Sequence, residues 1–350
     1  MTTRRAFMGS AAATVALAQK APASGFEMET VADNVWATLA KPMAIGNCNG
    51  AVFELSDGLL VVDTHVRPSA AKVALNAIRQ LSRKPVKYVV LTHIHGDHVQ
   101  GMPAYRQAAP DAQFVTHAAT RQRMAEGGGL MPAVRSAREK ALAEAGQKLA
   151  AAASPEEKAY WQRVAAESRD FLAEMKTVTL ELPQIAISRD WVIYDKLQDI
   201  HVMFRGRGHT DGDLVVYSPQ RRVLAAGDLC VSTTPLMSPY VRELPRTLVA
   251  LAQECPFEKA IPGHGSVQTG QETLYRLADY VEEMTFAAER LRAPRQFKPS
   301  DMKSLNGAYG QYVAEQLWRW RLQLPHIKSA EQALAAAVAV NSDQVYNAVK

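Results

Sequence analysis

The apolar run Val86–Leu91 ends directly in Thr92-His93-Ile94-His95-Gly96-Asp97-His98. Imidazole nitrogens and carboxylate oxygens are the usual ligands of zinc and similar divalent ions. His93, His95, Asp97 and His98 stand too close together to serve one tetrahedral ion alone. A short turn can instead aim His93 and His95 at one ion, and Asp97 and His98 at a second. Each ion then needs further ligands from elsewhere, so the fold must bring distant segments to the end of this strand. Three segments offer them: His209 in Gly-Arg-Gly-His-Thr-Asp-Gly-Asp, Asp228 in Ala-Ala-Gly-Asp-Leu, and His264 in Pro-Gly-His-Gly. Each follows an apolar or β-rich run (Ile200–Phe204, Arg222–Ala226, Ala260–Ile261) and lies in or beside glycines, where a strand is expected to end. Ligands at strand ends sit on a rigid sheet and face an open edge.

The flanking pattern is that of an α/β layered core. Val35–Leu39, Ala51–Leu55 and Leu59–Asp63 read as strands, with Asp57-Gly58 as the hairpin turn between the last two. Ser69–Ser82 carries Val73, Ala74, Ala77, Ile78 and Leu81 at helical spacing. A helix over Met102–Ala109 and a strand over Gln113–Thr116 follow. Ala118–Lys176 breaks this rhythm. It is rich in helix formers and punctuated by Gly127-Gly128-Gly129 and by Ser154-Pro155-Glu156-Glu157, which reads as an N-cap with proline at the first helical position. This predicts a helical insertion, placed either as a wall of the cleft or as an outer brace. A linker at Arg292–Arg295 and helical stretches including Leu317–Trp320 and Ala330–Val340 predict a helical C-terminal extension.

The N-terminal Thr3-Arg4-Arg5-Ala6-Phe7 resembles a twin-arginine export signal. The apolar run Ala6–Ala18 after it is too short to span a bilayer and suits a signal segment. The segment before Ser24 holds Arg4, Arg5 and Lys20 and no acid, so without it the formal charge falls from +5 to +2. With no dense basic stripe interleaved with aromatics, the sequence predicts no nucleic-acid partner. Three widely spaced cysteines, Cys48, Cys230 and Cys255, indicate no disulfide framework. His65, His117, His201 and His326 read as packing or surface residues, and Asp211 and Asp213 as turn residues. Asn47, Asn49, Arg205 and Arg207 are pocket candidates with an equally good structural reading.

The set His93-x-His95-x-Asp97-His98, His209, Asp228 and His264, with Asp63 at the end of an early strand, resembles the metallo-β-lactamase fold superfamily of metallohydrolases. That resemblance implies a four-layer αββα sandwich with the metals at one edge between two sheets. It implies two divalent ions, zinc by preference with iron or manganese as alternatives. His93, His95 and His209 would hold the first, and Asp97, His98 and His264 the second. One oxygen of Asp228 would bridge both, and Asp63 would orient a ligand imidazole. None of the three cysteines falls on a ligand position of the pattern. The chain then divides into a signal segment 1–23, a metallo-β-lactamase-like domain 24–292 with the insertion at about 118–176, and the extension 293–350. The implied function is hydrolysis of an ester, thioester, lactone or lactam by a hydroxide held between the ions, with Asp97 as proton carrier. The partner would be a small-molecule substrate. The location would be the periplasm, with no stable membrane anchor once the signal is removed. An iron-dependent oxidoreductase resembling the sulfur dioxygenases, or a non-catalytic metal-binding accessory protein, are the alternatives on the same scaffold.

Overall fold

The computed structural model describes residues 26–40, 47–130, 132–231 and 239–291, together with 345, 347 and 348. The expected signal segment and all but three residues of the expected C-terminal extension lie outside the described residues.

The first sheet contains β1 (Phe26–Ala32), β2 (Val35–Ala40), β3 (Gly50–Glu54), β4 (Leu59–Val62), β5 (Val86–Val90), β6 (Gln113–His117) and β7 (Ile185–Ile187), paired in that order. β1 to β4 form an antiparallel meander, and β4 to β7 are parallel. The turn at Asp57-Gly58 closes as expected, with Leu55 N donating to Gly58 O. Between these strands run α1 (Pro68–Leu81), α2 (Gly96–Val99), α3 (Met102–Ala108), α4 (Ala118–Ala125), α5 (Pro132–Ala151) and α6 (Pro155–Met175). The second sheet is built from β8 (Asp190–Ile193), β9 (Ile200–Phe204), β10 (Leu214–Ser218), β11 (Val223–Val231), β12 (Lys259–His264) and β13 (Gln268–Thr269), in the spatial order β13-β12-β11-β10-β9-β8. α7 (Leu244–Glu254) and α8 (Glu272–Leu291) complete it. Among the described residues the chain passes from the first sheet to the second once, between Ile187 and Asp190.

Side-chain alternation along the strands explains the layering. Leu60, Val62, Val90 and Val115 of the first sheet meet Val202, Leu214, Val216 and Ala225 of the second in the central core. Their neighbours Val61, Val89 and Phe114 turn outward to Leu75 and Ile78 of α1 and Tyr105 of α3. Val215, Tyr217 and Leu224 turn outward to Leu248 and Leu251 of α7 and Leu277 and Val281 of α8. The result is the four-layer αββα sandwich.

The insertion is helical as expected. Ser154 caps α6, its Oγ accepting from Glu157 N at 3.1 Å, and Tyr160 and Val164 of α6 pack on Ala145 of α5. The helical pair is tied to the start of α1, where the Glu174 carboxylate accepts from Ser69 N at 2.6 Å and Ser69 Oγ at 2.7 Å. The Gly127–Gly129 loop instead lies against α2, with Gly129 O accepting from Gln100 Nε2 at 3.0 Å. No helix among the described residues is long and apolar enough to cross a membrane.

Two strands run further than expected. β11 does not end at Ala226 but continues through Gly227 and Asp228 to Val231, and β12 continues through Pro262-Gly263 to His264. Gly227, at φ +51°, accounts for the first. It absorbs a register irregularity in the parallel pairing with β12 rather than ending the strand.

Candidate metal centre

β5 delivers the dense cluster. After Leu91 the chain turns, His95 takes an extended conformation, and α2 begins at Gly96. This four-residue helix places Asp97 and His98 on a different side of the turn from His93 and His95. Thr92 locks the corner by donating from N (2.8 Å) and Oγ1 (2.9 Å) to the Asp63 carboxylate. Leu214 N donates to Thr92 O at 2.8 Å, tying the start of β10 to the end of β5.

The distant residues arrive from the second sheet. His209 lies in the β9–β10 loop. That loop is closed by Asp213, which accepts from Thr210 N at 2.8 Å and Thr210 Oγ1 at 2.6 Å, and is braced by Arg123 Nε on Asp211 at 2.7 Å. Asp228 projects from within β11, and His264 from the last position of β12. A Cβ at Gly263 would collide with Asp228 Oδ1, and one at Gly227 would lie 2.8 Å from Thr92 Oγ1. Gly263 thus leaves room for the Asp228 carboxylate beside β12, and Gly227 lets the two sheets approach at the cluster. Asn49 Nδ2 donates to Pro262 O at 2.9 Å and Gly265 O at 2.8 Å, so it holds the His264 turn. Asn47 Oδ1 accepts from Val66 N. Arg205 pairs with Asp190 and Glu254, and Arg207 with Glu243. All four former pocket candidates thus make structural contacts.

All seven expected ligand side chains converge. The nitrogens of His93, His95 and His209 and an oxygen of Asp228 lie within 4.8 Å of one another, and so do the ligand atoms of Asp97, His98 and His264. Asp228 stands between the groups. Its Oδ2 is 3.3 Å from His209 Nε2 and 3.8 Å from His93 Nε2, while its Oδ1 is 3.3 Å from His98 Nε2 and 3.4 Å from His264 Nε2. The carboxylate turns one oxygen toward each group, between the two ions that the resemblance implies it would bridge. Its place in the middle of a strand sets the carboxylate plane across the gap. Asp97 Oδ2 lies 3.2 Å from His264 Nε2 and 3.6 Å from His98 Nε2. Asp63 Oδ2 accepts from His98 Nδ1 at 2.7 Å and leaves His98 Nε2 facing the cluster.

The residues present fit a bound cation. His93 Nε2, His98 Nε2 and Asp228 Oδ1 are buried with no hydrogen-bond partner. Each such atom costs about 1–3 kcal/mol when nothing meets it, and here all three lie in one cluster. Burial holds the His93 imidazole well below its ordinary range and His209 down to about 4, so both rings are neutral at pH 7, with His209 Nε2 sharing a proton with His95 Nδ1 at 2.8 Å. In the second group burial works the same way, but Asp228 and Asp97 outweigh it and raise His264 to about 10. Burial also opposes ionisation of Asp228, yet His264, His98 and His209 around it hold its carboxyl well below the usual range. Protons therefore occupy the second group in the metal-free chain, and a divalent ion there would displace them.

Access is one-sided. The His93, His98, His209 and Asp228 side chains are at most 4% exposed, whereas Asp97 and His264 are 20% and 24% exposed. His95 is also part-exposed, and the cluster opens to solvent beside His95, Asp97 and His264. A groove of about 560 Å³ elsewhere, lined by Leu59, Ile78, Val86 and Ala109, contains none of these side chains.

One neighbour was not expected. The Cys48 thiol groups with Asp63 and His98 within the same 4.8 Å limit. Cys48 lies between Asn47 and Asn49 in the sequence, and a lone cysteine there gives no spacing signal. His65 is buried against Phe26, and His117 caps α4 by accepting from Ala119 N. Neither joins the cluster. His326 lies outside the described residues.

Comparison with known proteins agrees with this geometry. A solved metallo-beta-lactamase from Pontibacter korlensis superposes with a TM-score of 0.53 at 20% identity, over 73% of this chain and 99% of that one. A metallo-beta-lactamase from Erythrobacter litoralis superposes with a TM-score of 0.50 at 16% identity, over 74% of this chain and 97% of that one. At these identities the likeness is one of fold. A curated relative, a linear primary-alkylsulfatase of Pseudomonas sp. (strain ATCC 19151), is 37% identical over 54 residues; the match spans 15% of this chain and only 10% of that protein. The model of the metallo-beta-lactamase superfamily matches residues 44–264, from before β3 to the last ligand of the cluster. The chain belongs to the metallo-beta-lactamase superfamily.

Proposed function

We propose that the seven side chains hold two divalent ions, zinc by ligand type, and that the protein hydrolyses an ester-like bond in a small molecule. The observation that carries this reading is the position of Asp228, with one oxygen facing each ligand group and both groups otherwise complete. Histidine and carboxylate donors suit zinc, and they also suit iron or manganese. Bound there, the ions would lower the pKa of water and polarise a substrate oxygen.

The chain's own residues do the rest. His93, His98 and His209 close the inner side of the cluster to water, so substrate enters beside His95, Asp97 and His264. Asp97 is the exposed carboxylate at that opening. It accepts the proton of the attacking water as the new bond to the acyl or sulfuryl centre forms. It returns that proton to the leaving oxygen, nitrogen or sulfur as the old bond breaks, and so ends unchanged. Asp63 fixes His98 by its Nδ1–H. The short match to an alkylsulfatase supports a sulfate ester among the esters, thioesters, lactones and lactams considered from the sequence. The N-terminal pattern supports export, with the mature chain acting in the periplasm.

The test is metal analysis of purified protein together with a hydrolysis panel of thioesters, lactones, sulfate esters, phosphodiesters and β-lactams. The expected result is about two ions per chain and chelator-reversible turnover that Asp97→Ala and Asp228→Ala abolish. A metal content near zero, or turnover indifferent to both substitutions, refutes the proposal.

A further inference from the structure

We infer that His65 is a positioning residue: its buried imidazole fixes the turn Asp63–His65, left-handed at its two ends, and, through it, the carboxylate and backbone that hold His98. The inference rests on the reading of His98 as a metal ligand.

Asp63 (φ 63°) and His65 (φ 70°) are both non-glycine residues in the left-handed region. Such residues cost about 1–3 kcal/mol each and persist only where their surroundings over-determine them. Glycine would adopt the His65 conformation without strain. The imidazole is therefore retained against a backbone cost, and its contacts show what offsets that cost. His65 Nδ1 is 3.1 Å from Cys48 O, and its Nε2 is 3.4 Å from Thr38 Oγ1. The ring packs on Phe26 with centroids 4.4 Å apart. Burial lowers its pKa to about 4. A neutral ring has one N–H and one lone pair, matching donation to the Cys48 carbonyl and acceptance from the Thr38 hydroxyl. Gly50 makes room beside this contact for Thr38 and β4, since a Cβ there would lie 2.7 Å from Thr38 Oγ1 and 2.8 Å from Val62 O.

One imidazole thus ties three segments, β1, β2 and the entry to β3, to the loop that leaves β4. The opposite side of that loop grips His98 twice. The Asp63 carboxylate takes its Nδ1–H, while Thr64 N and Thr64 Oγ1 both donate to His98 O at 2.8 Å. His65 O accepts from Gly101 N at 2.9 Å just beyond α2. His65 touches no reacting group. It acts by holding the part that holds His98.

His65→Gly separates this role from space filling, because glycine removes the strain together with the ring. The expected result is a folded protein whose affinity for zinc at the Asp97–His98–His264 group falls roughly 10-fold or more, within the range for groups that orient a ligand. The His93–His95–His209 group should keep its affinity. In the metal-free protein, the downfield Nδ1–H proton resonance of His98 should broaden or disappear. His65→Asn tolerates the left-handed backbone but cannot bridge Cys48 and Thr38; it should show the same losses and serves if the glycine variant does not fold. Unchanged zinc affinity with an intact His98 resonance overturns the inference, as does a fall in melting temperature alone. If the wild-type chain binds no zinc, the metal reading fails instead, and the resonance of the metal-free protein still decides the role of His65.

Discussion

Asp63→Asn tests how the cluster is oriented without changing its shape. Asparagine tolerates φ 63° as aspartate does, so backbone strain is not altered. The difference is one acceptor oxygen. Asp63 Oδ1 takes Thr92 N at 2.8 Å, and Oδ2 takes His98 Nδ1 at 2.7 Å. An amide has one oxygen, so either the Thr92 N–H or the His98 Nδ1–H faces an NH2 group. Thr92 and His98 are 1% and 0% exposed, so water cannot replace the lost partner. An orphaned buried donor costs about 1–3 kcal/mol. His98 can escape that cost by moving its proton to Nε2, but that nitrogen must carry a free lone pair to bind metal. The cost therefore appears in metal affinity, where about 1.4 kcal/mol is tenfold. The expected effect is a roughly 10- to 100-fold weaker second ion, with the first ion little changed. Competition with a chromogenic chelator on protein stripped and reloaded with zinc measures it. An Asp63→Asn chain that binds both ions with wild-type affinity refutes the orientation argument.

Further outcomes follow from other features. Chelation should lower the melting temperature. An ion that binds only the folded chain stabilises it by about 4 kcal/mol at a thousandfold excess over its Kd, and at roughly 2–4 °C per kcal/mol for a domain of this size its removal shifts melting by about 10 °C; a scan with and without chelator that coincides contradicts this. Ser154→Ala should destabilise the N-terminus of α6 by about 1 kcal/mol, seen as faster hydrogen exchange in α6 with zinc binding intact. Burial pushes the Asp213 carboxyl up to about 7. The unfolded chain loses that proton from roughly pH 4 upward while the folded chain keeps it, so in the metal-free protein this group favours the native state at low pH. Its contribution is lost as pH rises toward 7. Asp213→Asn should flatten the dependence of denaturation midpoint on pH between about 4 and 7, and an unchanged slope counts against the burial argument.

Local chemistry made much of the site legible. Dense ligands after a continuous apolar strand, and further ligands after later apolar runs, are a pattern that only a sheet edge can satisfy. The seven side chains and the cap at Ser154 could be read in this way, while Asp63 came from the resemblance to the metallo-β-lactamase pattern. What could not be read depends on pairing. β7 and β8 are three and four residues long and exist because β6 and β9 lie beside them. β10 is buried throughout and carries no alternation to mark it. Gly227 and Pro262-Gly263 read as strand ends because those residues usually break strands. In the structure, parallel pairing between β11 and β12 carries the chain through them and sets Asp228 across both groups. Cys48 was invisible for a related reason: its nearness to His98 is made by the loop leaving β4, not by spacing along the chain.

The single passage between the sheets among the described residues has a consequence for assembly. Everything before Ser188 contributes His93, His95, Asp97 and His98, and everything after Arg189 contributes His209, Asp228 and His264. The reaction centre is a seam between two consecutive halves, and neither half owns a complete set. A cation would rivet them together, so chelation should unfasten the sandwich along its middle. Two fragments divided at the crossover should recombine more readily when zinc is supplied.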